Sequence, residues 1–289
     1  MEDQILLKLN YSKGGRIIWT EDQLHYAVKR YYETYSTPTI AKEFNTSPYC
    51  IRRILRQQGV KLLSSTEIPR LRYPKNSDFF EIIDTPQKAY WLGFLYADGN
   101  ITKNEIYLGL QISDEEHIKK FQKAIGAINN KICYPITRRD GKEYPQARIS
   151  FRDKKMVEDL IDKGCTPNKT YTLTFPYNKI PENLYSHFIR GIMDGDGDIG
   201  WHNFTTKKAF HVGFCGTKNL LDGIKHILKK DDSKMDDRGK VFYFSIGGNK
   251  QLIDILGYIY KDSYDEIELT RKRERYNEFL EFMENKYGN

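Results

Sequence analysis

The sequence predicts an α+β protein, a duplicated αββαββα unit of pseudo-two-fold symmetry preceded by a small all-α helix-turn-helix segment. Three observations lead there. Residues 89–101, AYWLGFLYADGNI, are echoed by residues 186–199, SHFIRGIMDGDGDI. After each copy the pattern runs alternating strand, charged helix, hairpin and helix. Before the first copy, residues 1–62 read as helices separated by short turns.

The N-terminal elements follow from their caps. Thr20-Glu21-Asp22-Gln23 fits a capping box, in which the Thr oxygen and the Gln side chain satisfy free N–H groups at a helix start. That helix is expected to run to about Tyr35. A short helix follows from Pro38 with Ile40, Ala41 and Phe44 on its apolar side, then a turn at Asn45-Thr46. Ser47 is a good N-cap and Pro48 suits the first helical position. The next helix carries Ile51, Ile54 and Leu55 on one face and stops at Gly59. Tyr49, Arg52, Arg53 and Arg56 fall off that stripe, where they are placed to meet phosphates or base edges. Residues 63–79 read as an extended linker.

Two repeats fill the rest, over residues 80–180 and 181–289. In the first, Ile106, Leu108, Leu110 and Ile112 alternate with Glu105, Tyr107, Gly109 and Gln111, the period of a sheet with one buried face. In the second, Phe210, Val212 and Phe214 alternate with His211, Gly213 and Cys215. Ile149-Ser150-Phe151 matches Phe244-Ser245-Ile246. These matches pair Gln111 with Cys215.

Composition narrows the function classes. Hydrophobic residues make up 39% and charged residues 29%, the balance of a globular chain. A formal charge of +7 is compatible with nucleic acid as partner. Cys50, Cys133, Cys165 and Cys215 form no CxxC pair, so neither a zinc site of that type nor a redox dithiol is signalled. The start MEDQILLKLN is not a cationic-then-apolar leader, and no apolar run is long enough to span a bilayer, so a cytoplasmic protein with no membrane partner is expected.

The chemistry lies where the repeated helices end. Gly93 and Ala97 are four apart, as are Gly191 and Gly195, so each pair shares a helix face where small residues let two backbones approach. Gly99 and Gly197 are expected in the left-handed conformation that ends a helix. Side-by-side packing then brings Asp98 and Asp196 out together. A carboxylate at a helix C-terminus opposes the helix dipole at a cost of ~0.3–1 kcal/mol. Two facing carboxylates add like-charge repulsion, and a hard divalent cation such as Mg²⁺ reverses both penalties. Such a site suits phosphodiester hydrolysis.

LGFLYADG and FIRGIMDGDG resemble the two signature helices of the LAGLIDADG homing endonucleases in their single-chain, two-motif form. The resemblance covers about residues 80–289 and takes in PENLYSHFIRGIMDGDGDI and the RKRERY stretch. It implies that Asp98 and Asp196 hold two or more divalent ions, with the carbonyls of Ala97 and Gly195 as further ligands. It implies a polar catalytic neighbour, for which Gln111 is the candidate, with Arg148, Lys218 and Lys240 as others. It also implies double-stranded DNA as partner, gripped by two sheets and cut across the minor groove. Tyr107, Gln111, Arg138, Arg139, Arg148, Ser150, His211, Tyr243 and Ser245 then face the major groove. The first motif departs from the family by carrying Tyr96 where the second has Asp194. The hairpin KKDDSKMDDRGK, with four aspartates, departs from a DNA-contacting arm.

A duplicated unit supplies both half-sites in one chain, so a monomer encoded within a mobile intron or as an intergenic gene is expected. Alternatives on the same fold are a DNA-binding regulator without cleavage and a splicing maturase that binds host intron RNA. The chain opens without a nucleophile and lacks a terminal His-Asn, which argues against an intein.

Overall fold

The computed structural model describes residues 7–64, 67–203 and 208–287. The chain divides into two compact units, Met1–Pro74 and Lys75–Asn289.

The first unit opens with a two-residue hairpin, β1 (Asn10–Tyr11) and β2 (Ile17–Ile18). Helices α1 (Glu21–Thr34), α2 (Thr37–Glu43) and α3 (Pro48–Gln57) follow. The Thr20–Gln23 capping box forms in both directions, at 3.2 and 3.1 Å. Ser47 caps α3 through the Cys50 N–H at 3.2 Å. Ala27, Tyr31, Ile40, Phe44, Ile51 and Leu55 make a core of their own. Tyr49, Arg52, Arg53 and Arg56 are exposed on α3.

The stretch 63–79, expected to be extended, contains the helix α4 (Glu67–Arg72). Its start is a capping box: the Glu67 N–H donates to Ser64 Oγ at 3.1 Å, and the Ser64 N–H to Glu67 Oε2 at 2.8 Å. From Lys75 the chain joins the second unit. The Asn76 N–H donates to the Ile125 carbonyl at 2.7 Å, and Phe79 and Phe80 enter the larger core.

That unit repeats one order of elements. The first half runs α5 (Pro86–Ala97), β3 (Gly99–Ile101), β4 (Glu105–Gln111), α6 (Glu115–Ala124), β5 (Ile136–Arg139), β6 (Lys142–Arg152) and α7 (Lys154–Asp162). The second runs α8 (Tyr185–Asp196), β7 (Asp198–Asn203), β8 (Lys208–Gly216), α9 (Lys218–Ile227), β9 (Asp236–Asp237), β10 (Phe242–Gly247) and α10 (Asn249–Ile259). A final helix, α11 (Thr270–Tyr287), closes the chain. Each half carries a four-stranded antiparallel sheet, in the orders β3-β4-β6-β5 and β7-β8-β10-β9. One face of each sheet is apolar and packs on helices: Ile106, Leu108, Ala147 and Ile149 in one, Phe210, Val212, Phe214 and Phe244 in the other. Phe279 of α11 stacks on Phe210 with centroids 4.5 Å apart.

The ladders correct the strand alignment read from the sequence. Leu108 lies between Gly99 and Ile149, whereas Phe214 faces Phe244 one residue beyond the Gly213–Asp198 pair. Leu108 therefore matches Phe214, Gly109 matches Cys215, and Gln111 matches Thr217 rather than Cys215. The period-two pattern is blind to a slip of two, which keeps every apolar residue inward. The β7–β8 hairpin is the longer one.

Candidate active site

The centre of the second unit is the contact between α5 and α8. Both helices are buried almost all round, with Trp91, Leu92, Phe94, Leu95, Phe188, Ile189, Ile192 and Met193 in the core. The approach is too close for side chains at the crossing. A Cβ on Gly93 would run into the Phe188 carbonyl oxygen, and one on Gly191 into that of Tyr90. At the last turn Gly195 faces the Ala97 methyl group, and a Cβ there would lie 3.2 Å from Asp98 Oδ2. The carboxyl of one half thus overhangs the helix end of the other.

Asp98 and Asp196 occupy these two helix ends. Asp98 is partly buried, Asp196 reaches solvent, and both carboxyl groups titrate above their ordinary range. Burial raises Asp98 most, to about 6, with the negative charge of Asp196 second. For Asp196 partial desolvation is the raising influence, while Lys169 and Lys272 pull downward.

The helix ends are not closed as the sequence suggests. Neither Gly99 nor Gly197 has a positive φ; Gly197 is extended at φ −82° and ψ 170°. The glycines serve another need, because a Cβ on Gly99 would strike Leu95 and one on Gly197 would strike Met193. The chain folds straight from helix into strand against its own last turn.

The orphan carbonyls go to two lysines instead. Lys169 Nζ donates to the Ala97 carbonyl at 2.7 Å. Lys272 Nζ donates to Gly197 O at 2.7 Å, to Gly195 O at 3.3 Å and to Met193 O. The carbonyls of Ala97 and Gly195, expected as metal ligands, therefore each accept from an ammonium; a second lone pair remains on each oxygen. Burial depresses both lysines, Lys272 to about 8. Their positive charge offsets the unfavourable placement of acids at helix C-termini.

Neither lysine was a sequence candidate. Of those named, Lys218 pairs with Asp222 at 2.7 Å and Lys240 lies exposed in the β9–β10 connection. Gln111 stands at the outer end of β4, and its amide donates to Asp114 at 3.0 Å. Asp114 also pairs with Arg271 at 3.0 Å, so Gln111 joins a bridge from the first half to α11.

The motif positions before the acids solve one problem with opposite polarity. Asp194 is fully buried and accepts from Tyr90 Oη and from the Leu269 N–H, each at 2.8 Å. Its counterpart Tyr96 donates its hydroxyl to the Lys163 carbonyl. A carboxylate meets an N–H in one half, and a phenol meets a C=O in the other. Each tie anchors the segment that leads to its lysine.

The outward sheet faces carry the remaining candidates unequally. Arg148 and Ser150 are exposed beside Gly109 and Tyr107, whose hydroxyl donates to Glu105 at 2.7 Å. Arg138 and Arg139 are exposed on β5, Arg138 pairing with Glu143 at 2.8 Å. In the second half only Ser245 is fully open. Tyr243 is half covered, its hydroxyl lying over Gly213 and its ring 3.8 Å below the Arg238 guanidinium. His211, expected to be outward-facing, is 5% exposed because the long hairpin brings Asp198 and His202 across it.

The donor set at the helix ends fits a hard divalent ion. Two carboxylates at adjoining helix ends, both held above their ordinary range, are relieved by a dication, and oxygen ligands suit magnesium.

No family model and no curated protein matches the chain. Among solved structures, it is similar to the homing endonuclease I-WcaI bound to its DNA recognition sequence, at 12% identity. That match covers 75% of this chain and 96% of the other, with a TM-score of 0.49. The LAGLIDADG homing endonuclease I-GzeII in complex with a DNA target matches at 12% identity, 71% and 92% coverage and a TM-score of 0.47. The LAGLIDADG meganuclease I-CpaMI bound to uncleaved DNA matches at 14% identity, 68% and 90% coverage and a TM-score of 0.45. At these values the assignment rests on the chain's own geometry.

Proposed function

We propose that residues 75–289 form a DNA endonuclease of the LAGLIDADG type that hydrolyses one phosphodiester bond on each strand of a duplex. The observation that carries this reading is the pair of glycine-packed helices ending in Asp98 and Asp196 between two sheets of identical strand order. Asp98 and Asp196 would hold divalent metal, with Ala97 O and Gly195 O alongside. When bound, the metal supplies Lewis-acid stabilisation of charge on the phosphate oxygens and a more acidic water.

The chain's own groups do the positioning. Lys169 and Lys272 fix the two helix ends and add positive charge where phosphate must approach. The bridge from Gln111 through Asp114 to Arg271 holds the lysine-bearing helix against the first half. The duplex would lie along the outward sheet faces, with Arg148, Ser150 and the β5–β6 arm serving one half-site. Two unlike sheets in one chain suit an asymmetric target read by a monomer.

The acids decide between a nuclease and a binding-only regulator. Asp98→Asn or Asp196→Asn is expected to lower Mg²⁺-dependent cleavage by at least roughly 10³-fold, with duplex affinity held within a few-fold. Cleavage by the variants at the wild-type rate, measured on a plasmid carrying the target, overturns the assignment.

The N-terminal unit would add flanking contacts through Tyr49, Arg52, Arg53 and Arg56. The log–log dependence of DNA affinity on salt tests this. Deleting residues 1–74 is expected to reduce its slope by about 2–3, on the order of one per lost arginine–phosphate contact. An unchanged slope excludes α3 from the interface.

A further inference from the structure

We propose that Asp198, His202 and His211 form a binding site for a single zinc-class divalent ion, distinct from the acid pair and confined to the second half. The three side chains share the outward face of the β7–β8 hairpin. Asp198 and His202 lie four residues apart on the same face of β7, and His211 stands opposite Gly200 between them. Asp198 Oδ2 lies 2.8 Å from His211 Nε2 and 3.4 Å from His202 Nε2. All three ligating atoms fall within 4.8 Å of one another.

A tetrahedral zinc with ligands at about 2.0–2.2 Å needs its ligating atoms about 3.3–3.6 Å apart; the 3.4 Å spacing meets that, and the 2.8 Å spacing would open by about half an ångström. Three protein ligands leave the fourth position to water. The three side chains converge as a ligand set does. Both imidazoles converge on one carboxylate oxygen with ring centroids 3.8 Å apart. His211 is almost wholly buried for this, and its Nε2 is the atom turned to the shared oxygen. Two imidazole nitrogens gathered on one carboxylate oxygen make the N,N,O donor set that a zinc-class ion takes. Two imidazoles and one carboxylate favour zinc, cobalt or nickel over magnesium. The shorter hairpin of the first half presents Asn100 where the second has Asp198. The ion would tie the two strands of the longer hairpin together.

The full-length protein, equilibrated with buffered Zn²⁺ in large excess of Mg²⁺ and then desalted, tests the site by metal count. The expected result is one zinc per chain, also in the Asp98→Asn/Asp196→Asn double variant. Affinity should fall at least tenfold in His211→Gln and in His202→Gln, whose exposed side chain makes a fold-neutral change. Co²⁺ should give a visible absorption band that disappears in the same two variants. A wild-type chain that retains no zinc overturns the proposal, as does one whose zinc survives His202→Gln. Zinc lost only with the acid pair overturns it too, by assigning the ion to Asp98 and Asp196. The count does not depend on cleavage, so an inactive nuclease leaves it unaffected.

Discussion

The two halves of the larger unit agree closely at their shared centre and part company toward their edges. At the centre, glycine meets backbone, acid stands near acid, and a lysine covers each helix end. At the edges, the first half extends an arm from Lys142 to Arg152, while the second has a two-residue β9 of aspartates and a longer β7–β8 hairpin. The sheet faces tolerate divergence because each serves a different stretch of partner. The helix pair cannot diverge in the same way, since the glycines of each helix are packed directly against the backbone of the other.

Even the centre is not symmetric, and the lysines measure how far it departs. Lys272 is almost fully buried and serves three carbonyls; Lys169 is partly exposed and serves one. Lys272→Met is expected to destabilise the unit by about 3 kcal/mol and Lys169→Met by about 1 kcal/mol, since each orphaned buried carbonyl costs roughly 1–3 kcal/mol. Shifts in the urea midpoint multiplied by the m-value give both numbers. Equal losses would mean that the two caps carry the same weight despite their different burial.

The helix ends offer a second way to sharpen the comparison. Ala97 and Gly195 occupy matched positions and touch, so the interface accommodates one methyl group but not two. Gly195→Ala should cost about 2 kcal/mol by overpacking. Adding Ala97→Gly moves the methyl to the other half and should restore most of that loss. If the double variant is no more stable than Gly195→Ala alone, the two positions are not equivalent.

The smallest effect concerns a neutral histidine. Tyr90 gives its one hydroxyl proton to Asp194, so it must accept from His117 Nε2–H at 2.9 Å. Burial pulls His117 down to about 3. The unfolded chain, with an ordinary imidazole, binds the proton first, so this group's contribution is intact above about pH 6.5 and is lost progressively as pH falls toward 3. At pH 6 the loss amounts to about 1 kcal/mol by this linkage. Asp194, raised to about 6 by burial, works in the opposite sense, so the comparison must be between proteins rather than between pH values. His117→Gln keeps a donor for Tyr90 and should remove that share of the acid sensitivity. An unaltered stability-versus-pH curve would contradict it.

The sequence carried the duplication, the capping boxes of the small unit and both central acids, because each depends on neighbours within a few residues. It was silent where the partner arrives from far along the chain. Lys169 and Lys272 reach the helix ends from the last part of each half, in the unlike contexts PNKTY and TRKRE. Only the RKRERY resemblance touched one of them, and it assigned no role. The β7–β8 register was missed because a slip of two preserves the inward pattern. The buried position of His211 was missed because hairpin length, rather than alternation, decides what lies across a strand. The helix at Glu67–Arg72 was legible, since Ser64 and Glu67 stand at capping-box spacing; the prolines around it masked the signal.

The hydroxyl that Tyr90 gives to Asp194 across the helix pair, with the lone methyl of Ala97, makes the halves complementary rather than interchangeable. Separated into two polypeptides, they would be matched like a left and a right glove. Two first halves would press methyl on methyl, and two second halves would leave Asp194 without the hydroxyl of Tyr90. Such mutual tailoring fits each half to the other and to no second copy of itself.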